Sequence, residues 1–254
     1  MARRPFLAGN WKMNLDRRGA LALVQALRRG LDGSAELRAR DVAVFPPFVY
    51  LAEVARALEG SAIRLGGQNV CNQRAGAFTG EVSGDMLRDV GASLALAGHS
   101  ERRQLYGESD ELVNARVHSA LASGLEVILC VGETLAERQA DQTESVTGRQ
   151  LARGLAGVTA EVLERVTIAY EPVWAIGTGH HATPAQAGEV HTYLRGVLAG
   201  LHGDQAAEHV RIQYGGSVKP ENVSELMAAP DVDGALVGGA SLQADSFLQI
   251  VRFR

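Results

Sequence analysis

A carboxylate at the end of an apolar run is the first feature of this chain that suggests chemistry. The run at 166–171 is rich in β-branched and aromatic residues and ends in Glu171, and the Gly- and Pro-bounded segment 172–179 follows. A strand that carries a carboxylate to its tip and opens into such a loop is typical of a general base beneath a lid. The same pattern fits a surface Glu before an ordinary turn, so this segment alone leaves both interpretations open.

Two further polar side chains, Lys12 and His99, each follow an apolar run. The chain has 25 basic residues other than histidine, yet only Lys12 and Lys219 are lysines. Lysine offers a compact ammonium that the planar guanidinium of arginine cannot imitate. Lys12 is therefore a candidate for a functional cation.

These residue types together predict proton abstraction next to a carbonyl group. A general base supplies a factor of roughly 10²–10⁴, or about 3–5 kcal/mol, so Glu171 alone would not suffice for an enzyme. Charge that develops on the substrate oxygen needs donors, and Lys12, Asn10 and His99 offer a cation, an amide and a ring N–H.

The residues after His99 set its expected charge. The segment 100–103, Ser-Glu-Arg-Arg, has the composition of a helix start, and a helix N-terminus disfavours an imidazolium. We therefore expect a neutral ring. Glu101 would supply a counter-charge to Lys12 and hold its orientation.

Short apolar runs separated by helical periodicity extend along the whole chain. Helical spacing is clear at 20–27 and 187–198, with Thr183 as N-cap and Pro184 at the first helical position. The runs predict eight strands, buried on both faces as in a parallel sheet, at 6–10, 42–45, 63–68, 94–98, 127–131, 166–171, 210–214 and 235–237.

Eight strand–helix pairs predict an α/β fold, a closed (β/α)8 barrel that spans 1–254 as one domain. A doubly wound open sheet is the alternative, and a Gly-x-Gly-x-x-Gly motif after the first strand would favour it. That position reads Ala-Gly-Asn-Trp-Lys-Met at 8–13. In a barrel, Lys12, His99 and Glu171 follow strands one, four and six, and all three would lie at the C-terminal rim, where barrel active sites form.

Glycine turns after the last two strands predict an anion site at the same rim. Ser217 follows strand seven, and Gly238 and Gly239 follow strand eight. Such turns expose backbone N–H groups that suit a phosphate dianion, although one glycine pair by itself indicates only a turn.

Composition excludes several other classes of protein. The chain has 254 residues, 46% hydrophobic and 21% charged, with a net charge of −4, which gives no basic face for nucleic acid and no membrane-binding surface. No apolar run approaches membrane-spanning length, the N-terminal apolar stretch is too short for a signal peptide, and Cys71 and Cys130 lack metal-ligand spacing. His180 and His181 are adjacent, and adjacent histidine side chains seldom bind the same metal ion, so no metal is expected. The predicted location is cytoplasmic.

Seven segments, in this order, resemble those of the triosephosphate isomerase family, and they extend from the first strand to the last. They are Asn-Trp-Lys-Met-Asn at 10–14, Gly-Ala-Phe-Thr-Gly-Glu at 76–81, Gly-His-Ser-Glu-Arg-Arg at 98–103, Cys-Val-Gly-Glu-Thr at 130–134, Tyr-Glu-Pro-Val-Trp-Ala-Ile-Gly-Thr-Gly at 170–179, Tyr-Gly-Gly-Ser-Val-Lys-Pro at 214–220 and Leu-Val-Gly-Gly-Ala-Ser-Leu at 236–242.

The resemblance implies a TIM barrel that interconverts dihydroxyacetone phosphate and D-glyceraldehyde 3-phosphate through an enediolate, in glycolysis and gluconeogenesis, without cofactor or metal. Glu171 would move the proton, His99 and Asn10 would polarise the oxygens, and Lys12 would steady the charge. The implied phosphate ligands are the backbone N–H groups of Gly177, Ser217, Gly238 and Gly239.

The resemblance also implies a lid and a partner. The lid at 172–179 would close with its apolar tip, Ala175 and Ile176, over the intermediate and exclude water. The loop 69–83, with Thr79 near its tip, would insert into a second copy of the chain and form a homodimer. One departure is His180, where the family commonly has a lysine after the lid, which puts the hinge energetics in doubt.

Two other functions remain open at this stage. A Schiff-base aldolase on the same fold could use Lys12, although such lysines must lose their proton readily and Glu101 would favour the charged ammonium. A phosphate-binding or assembly barrel without catalysis is the other alternative.

Overall fold

The computed structural model describes residues 3–177 and 182–254. The predictions that concern Gly179 and His180 lie outside the described residues.

Eight parallel strands close into one barrel in sequence order, with β1 paired to both β2 and β8. The predicted barrel is confirmed, and each predicted strand end lies within one residue of the observed one. The strands are β1 Phe6–Asn10, β2 Asp41–Phe45, β3 Arg64–Gly67, β4 Leu94–Ala97, β5 Glu126–Val131, β6 Val166–Tyr170, β7 Arg211–Tyr214 and β8 Gly234–Val237.

Helices follow the strands and cover the barrel. The predicted cap at Thr183 is confirmed, since its side chain accepts the Gln186 N–H and Pro184 opens the helix. The described ranges contain α1 Arg17–Leu31, α2 Ala35–Ala39, α3 Leu51–Ala57, α4 Gly84–Asp89, α5 Ser100–Leu105, α6 Asp110–Ala122, α7 Leu135–Gln139, α8 Thr143–Gly154, α9 Ala160–Leu163, α10 Pro184–His202, α11 Asp204–His209, α12 Val223–Met227 and α13 Ala244–Val251.

Apolar residues fill two layers. Strand residues that point inward, such as Phe6, Phe45 and Ile128, pack inside the barrel, and the alternate residues pack against the surrounding helices. The interior leaves no room for a side chain at Gly66, where an added Cβ would lie 2.1 Å from the Phe45 ring. The filled interior leaves the two ends of the barrel as the surfaces available for polar groups.

At the N-terminal ends of the strands, which we call the floor, charged residues pair with one another. Arg64 and Glu126, the first residues of β3 and β5, form two hydrogen bonds of 2.9 and 2.6 Å. Arg211 at the start of β7 pairs with Asp41 at the start of β2. These four charges are thus paired within the protein.

A second ion-pair group on the floor is largely buried. The Arg195 guanidinium contacts Asp231 at 2.5 Å and Asp233 at 2.6 Å, and Asp233 also accepts the Ile212 N–H at 2.9 Å. Arg3 reaches the other oxygen of Asp233 at 2.7 Å. These contacts tie the chain before β1 to α10 and to the loop between β7 and β8.

Candidate active site

A cavity of about 550 Å³ opens at the C-terminal ends of the strands, which we call the rim. It brings together every predicted catalytic and phosphate-binding residue: Asn10, Lys12, His99, Glu171, Gly177, Ser217, Gly238 and Gly239. These residues come from five strand ends and the lid, and only barrel closure makes them neighbours.

Glu171 follows β6 directly and is 1% exposed. Its Oε1 lies 3.0 Å from His99 Nε2, and its Oε2 accepts the Ser100 N–H at 2.7 Å. Burial alone would raise the pKa of Glu171, but the His99 contact and the Ser100 hydrogen bond outweigh it and lower the pKa. The carboxylate is therefore ionised at neutral pH, as a base requires.

His99 is the N-cap of α5, which begins at Ser100 as predicted. Its Nδ1 accepts the Glu101 N–H at 3.2 Å, so the ring proton sits on Nε2, which faces Glu171. Burial disfavours the imidazolium, yet the Glu171 carboxylate raises the pKa of His99 above its ordinary value. Glu101 adds to this rise in pKa, and the predicted neutral ring stays a prediction.

Lys12 has a left-handed backbone, with φ at 52°, which is costly for a residue with a side chain. Two side chains hold it there. The Asn10 carboxamide oxygen accepts the Lys12 N–H at 3.0 Å, and the Gln68 amide donates to the Lys12 carbonyl at 2.8 Å. The expected contact of Lys12 with Glu101 is present, at 2.6 Å between Nζ and Oε1. The ammonium is thus fixed at the cavity wall by its ion pair with Glu101.

Glycine-rich turns form the side of the cavity where phosphate binding is predicted. A 3₁₀ turn at Gly239–Leu242 follows Gly238, and Ser217 lies on the neighbouring loop. A Cβ at Gly238 would lie 3.4 Å from the Lys12 side chain, so a larger residue would fill the space between the turn and the ammonium. Among the described residues that line the cavity, the cations are Lys12 and Lys219 and no arginine takes part.

The triosephosphate isomerase family model matches residues 5–254. The chain belongs to the triosephosphate isomerase family. It is 55% identical to the triosephosphate isomerase of Herpetosiphon aurantiacus over 99% of this chain and 100% of that protein. It is 54% identical to the triosephosphate isomerase of Carboxydothermus hydrogenoformans over 98% of both, and 49% identical to that of Syntrophotalea carbinolica over 99% of both.

Membership of the triosephosphate isomerase family confirms the resemblance drawn from the seven segments. It also separates the chain from the Schiff-base aldolases that share the barrel. The order of those segments carried this inference, since a single Gly-Gly pair or a single His would not have done so.

Sequence reasoning missed the residues that shape the space around Glu171. Gly215 lies in the turn after β7, and a Cβ there would lie 2.8 Å from Glu171 Cγ. At Gly132, after β5, a Cβ would lie 1.8 Å from the Glu171 carbonyl oxygen. Cys130 is buried against the carboxylate, and burial together with Glu171 raises the pKa of its thiol. The glycine pair in the segment at 214–217 was the available signal, and its role in phosphate binding stays a prediction.

The first half of the lid is attached to the barrel by an acidic residue that was also missed. Glu133 accepts hydrogen bonds from the Trp174 indole at 2.8 Å and from the Tyr170 hydroxyl at 3.0 Å. Ala175 is fully buried, and of the two predicted tip residues it is Ile176 that lines the cavity.

The loop 69–83 follows β3, and its residues 73–81 are exposed. Its base is fixed by the Cys71 N–H to the Val82 carbonyl, at 2.8 Å, and by Arg116, which donates to the Val70 carbonyl at 2.9 Å. Thr79 near the tip is exposed and does not line the cavity of its own chain.

In the described part of the chain no helix is long and apolar enough to cross a membrane.

Proposed function

We propose that this chain interconverts dihydroxyacetone phosphate and D-glyceraldehyde 3-phosphate through an enediolate. The observation that carries the proposal is the juxtaposition of a buried, ionised Glu171 with the His99 ring and the Lys12 ammonium in one rim cavity. Full-length similarity to triosephosphate isomerases supports it.

Glu171 is the proton carrier in this proposal. Its carboxylate takes a proton from the hydroxyl-bearing carbon next to the substrate carbonyl, and the electron pair moves through the new carbon–carbon double bond to the carbonyl oxygen. The proton of the neighbouring hydroxyl group moves to that oxygen, the carboxyl group returns its own proton to the former carbonyl carbon, and the former hydroxyl carbon becomes the carbonyl carbon. To reach the substrate, the carboxylate must leave the Ser100 N–H that it accepts at 2.7 Å. The negative charge that develops on the substrate oxygen is stabilised by the His99 Nε2–H, the Asn10 amide and the Lys12 ammonium. These groups are in place before the charge develops.

The phosphate group is held away from the reacting carbons. The backbone N–H groups of Gly177, Ser217, Gly238 and Gly239 are the proposed ligands, since all four line the cavity. Binding energy from a group that never reacts can close the lid and order the catalytic groups, so its loss lowers kcat/KM. No cofactor or metal is required, because the acid–base groups and donors account for each step.

We also propose a homodimer that works in the cytoplasm, each chain one domain of 1–254, joined through the loop 69–83 with Thr79 at the contact. Large apolar side chains are exposed within that loop and on segments that follow β1 and β4, namely Phe78 at 46%, Met13 at 94% and Tyr106 at 69%. Exposed apolar groups of this size, when they lie together, mark interaction sites. Sedimentation equilibrium tests the dimer, and a monomer at micromolar concentration contradicts it.

A coupled isomerase assay tests the activity, and a comparison of substrates tests the phosphate site. We expect turnover of both triose phosphates and a value of kcat/KM for unphosphorylated glyceraldehyde that is lower by many powers of ten. A difference below about a hundredfold would show that the glycine turns do not bind phosphate. Absence of turnover would remove the proposed function.

A further inference from the structure

The second lysine of the chain, Lys219, also lines the rim cavity. It stands two residues after Ser217 and is exposed, whereas Val218 between them is buried. The proton-transfer scheme above gives Lys219 no role. Its place at the mouth of a site for an anionic substrate calls for one.

The backbone that carries Lys219 is fixed. The Asn222 carboxamide oxygen accepts the Lys219 N–H at 2.8 Å, and the Asn222 amide donates to the Ser217 carbonyl at 3.0 Å. One side chain therefore joins the phosphate loop at Ser217 to the lysine. The point from which the ammonium extends is set relative to the proposed phosphate ligands, while the side chain itself reaches into solvent.

Among the described residues that line the cavity, the charged groups other than Lys219 are already engaged with partners. Lys12 is paired with Glu101 at 2.6 Å, and the buried Glu171 carboxylate lies 3.0 Å from the His99 ring. The whole chain carries a net charge of −4, so the overall field is unfavourable for a dianion. Lys219 makes no salt bridge with any described residue, and its ammonium is thus available to attract an anion at the entrance.

We propose that Lys219 is a capture residue, whose ammonium attracts the phosphate dianion into the cavity without contacting the reacting carbons. The proposal rests on the proposed function, since it requires an anionic substrate. A unit charge about 10 Å from a dianion in water changes the local substrate concentration about threefold at low salt. The effect should fade once the Debye length falls well below that distance.

The test measures kcat and kcat/KM for D-glyceraldehyde 3-phosphate at about 10 mM and about 300 mM ionic strength. At low salt, Lys219→Gln should lose about threefold in kcat/KM and Lys219→Glu about tenfold, with kcat unchanged in both. High salt should remove most of the difference, and Lys219→Arg should keep the wild-type value. Unphosphorylated glyceraldehyde should react equally with all four proteins.

Arg29→Gln is the matched control, because it removes one exposed positive charge from the last turn of α1, at the floor end of the barrel. It should behave as the wild type at both salt concentrations. Wild-type turnover decides the proposed function separately. The capture role is overturned if Lys219→Gln equals wild type at low salt, if its loss persists at high salt, or if kcat falls with kcat/KM.

Discussion

The rim and the floor of this barrel use charged residues in opposite ways. On the floor, the Arg195 guanidinium is hydrogen-bonded to the carboxylates of Asp231 and Asp233. The other oxygen of Asp233 accepts from Arg3. At the rim, Glu171 is ionised but held by contacts that it must exchange for substrate, and Lys12 has a left-handed backbone. The floor satisfies its charges within the fold and contributes stability, whereas the rim keeps reactive groups in less favourable states.

The comparison predicts that variants of the two ends separate activity from stability. Glu171→Gln should lower kcat by at least about 10²–10⁴ while substrate affinity stays nearly intact, because the amide cannot accept the proton. Steady-state kinetics with an affinity measurement for inorganic phosphate checks this. Retention of more than about a tenth of wild-type kcat would remove Glu171 from the role of base.

Asp233→Ala is the corresponding change on the floor. It removes one of the two carboxylates that Arg195 and Arg3 share, so that both keep Asp231, and it leaves the Ile212 N–H unpaired, and we expect a loss of about 1–3 kcal/mol in the free energy of unfolding. Urea unfolding at fixed protomer concentration measures it. The folded variant should keep wild-type kcat at 25 °C, and a large fall in kcat would show that the two ends are coupled.

Lys12→Arg tests whether the rim needs a lysine or only a positive charge. The guanidinium is longer and planar, so it cannot occupy the position that Lys12 Nζ takes 2.6 Å from Glu101. We expect kcat/KM to fall about a hundredfold, as for other displacements near the reacting atoms. Near-normal kcat/KM would show that Lys12 is an ordinary cation.

His191 on α10 gives a prediction for pH. Burial lowers its pKa to about 4, and its Nδ1 contacts the Asp231 carbonyl at 3.0 Å. The unfolded chain takes up the proton near pH 6.5, so the stability contributed by a neutral His191 is present above that value and is lost as pH falls towards 4. The free energy of unfolding at pH 5 should be about 2 kcal/mol lower than at pH 7 on this account, and His191→Asn should reduce that difference. An unchanged pH dependence in the variant would contradict it.

Gly215→Ala should give the smallest effect, about tenfold in kcat, because the new Cβ would lie 2.8 Å from Glu171 Cγ and would move the base. Gly196→Ala on α10 is the control, since an added Cβ there meets nothing within 4 Å. It should leave kcat unchanged and stabilise the helix by up to about 1 kcal/mol. Equal kcat in the two variants would show that Gly215 does not control the position of Glu171.

The sequence predicted the barrel well because each strand is a short apolar run between helical segments, and that alternation is local. It also predicted which residues meet at the rim, since closure of a barrel places every strand end on one side. What it could not predict are contacts set by packing across the barrel. Examples are Gly215 beneath Glu171, Gln68 on the Lys12 carbonyl and Glu133 on the Trp174 indole. None of these has a periodicity or a spacing that marks it in the chain.

In the proposed mechanism, Glu171 moves a proton between two carbons through an enediolate. While the Glu171 carboxyl group holds that proton, the proton exchanges with solvent. The direct measurement is isomerisation of D-glyceraldehyde 3-phosphate in D₂O, with mass and NMR analysis of the product. We predict deuterium on the carbon that receives the proton, at a rate that falls in parallel with kcat in Glu171→Gln. A product free of deuterium would mean direct transfer of hydrogen between the carbons, and unchanged incorporation in Glu171→Gln would assign the base to another residue.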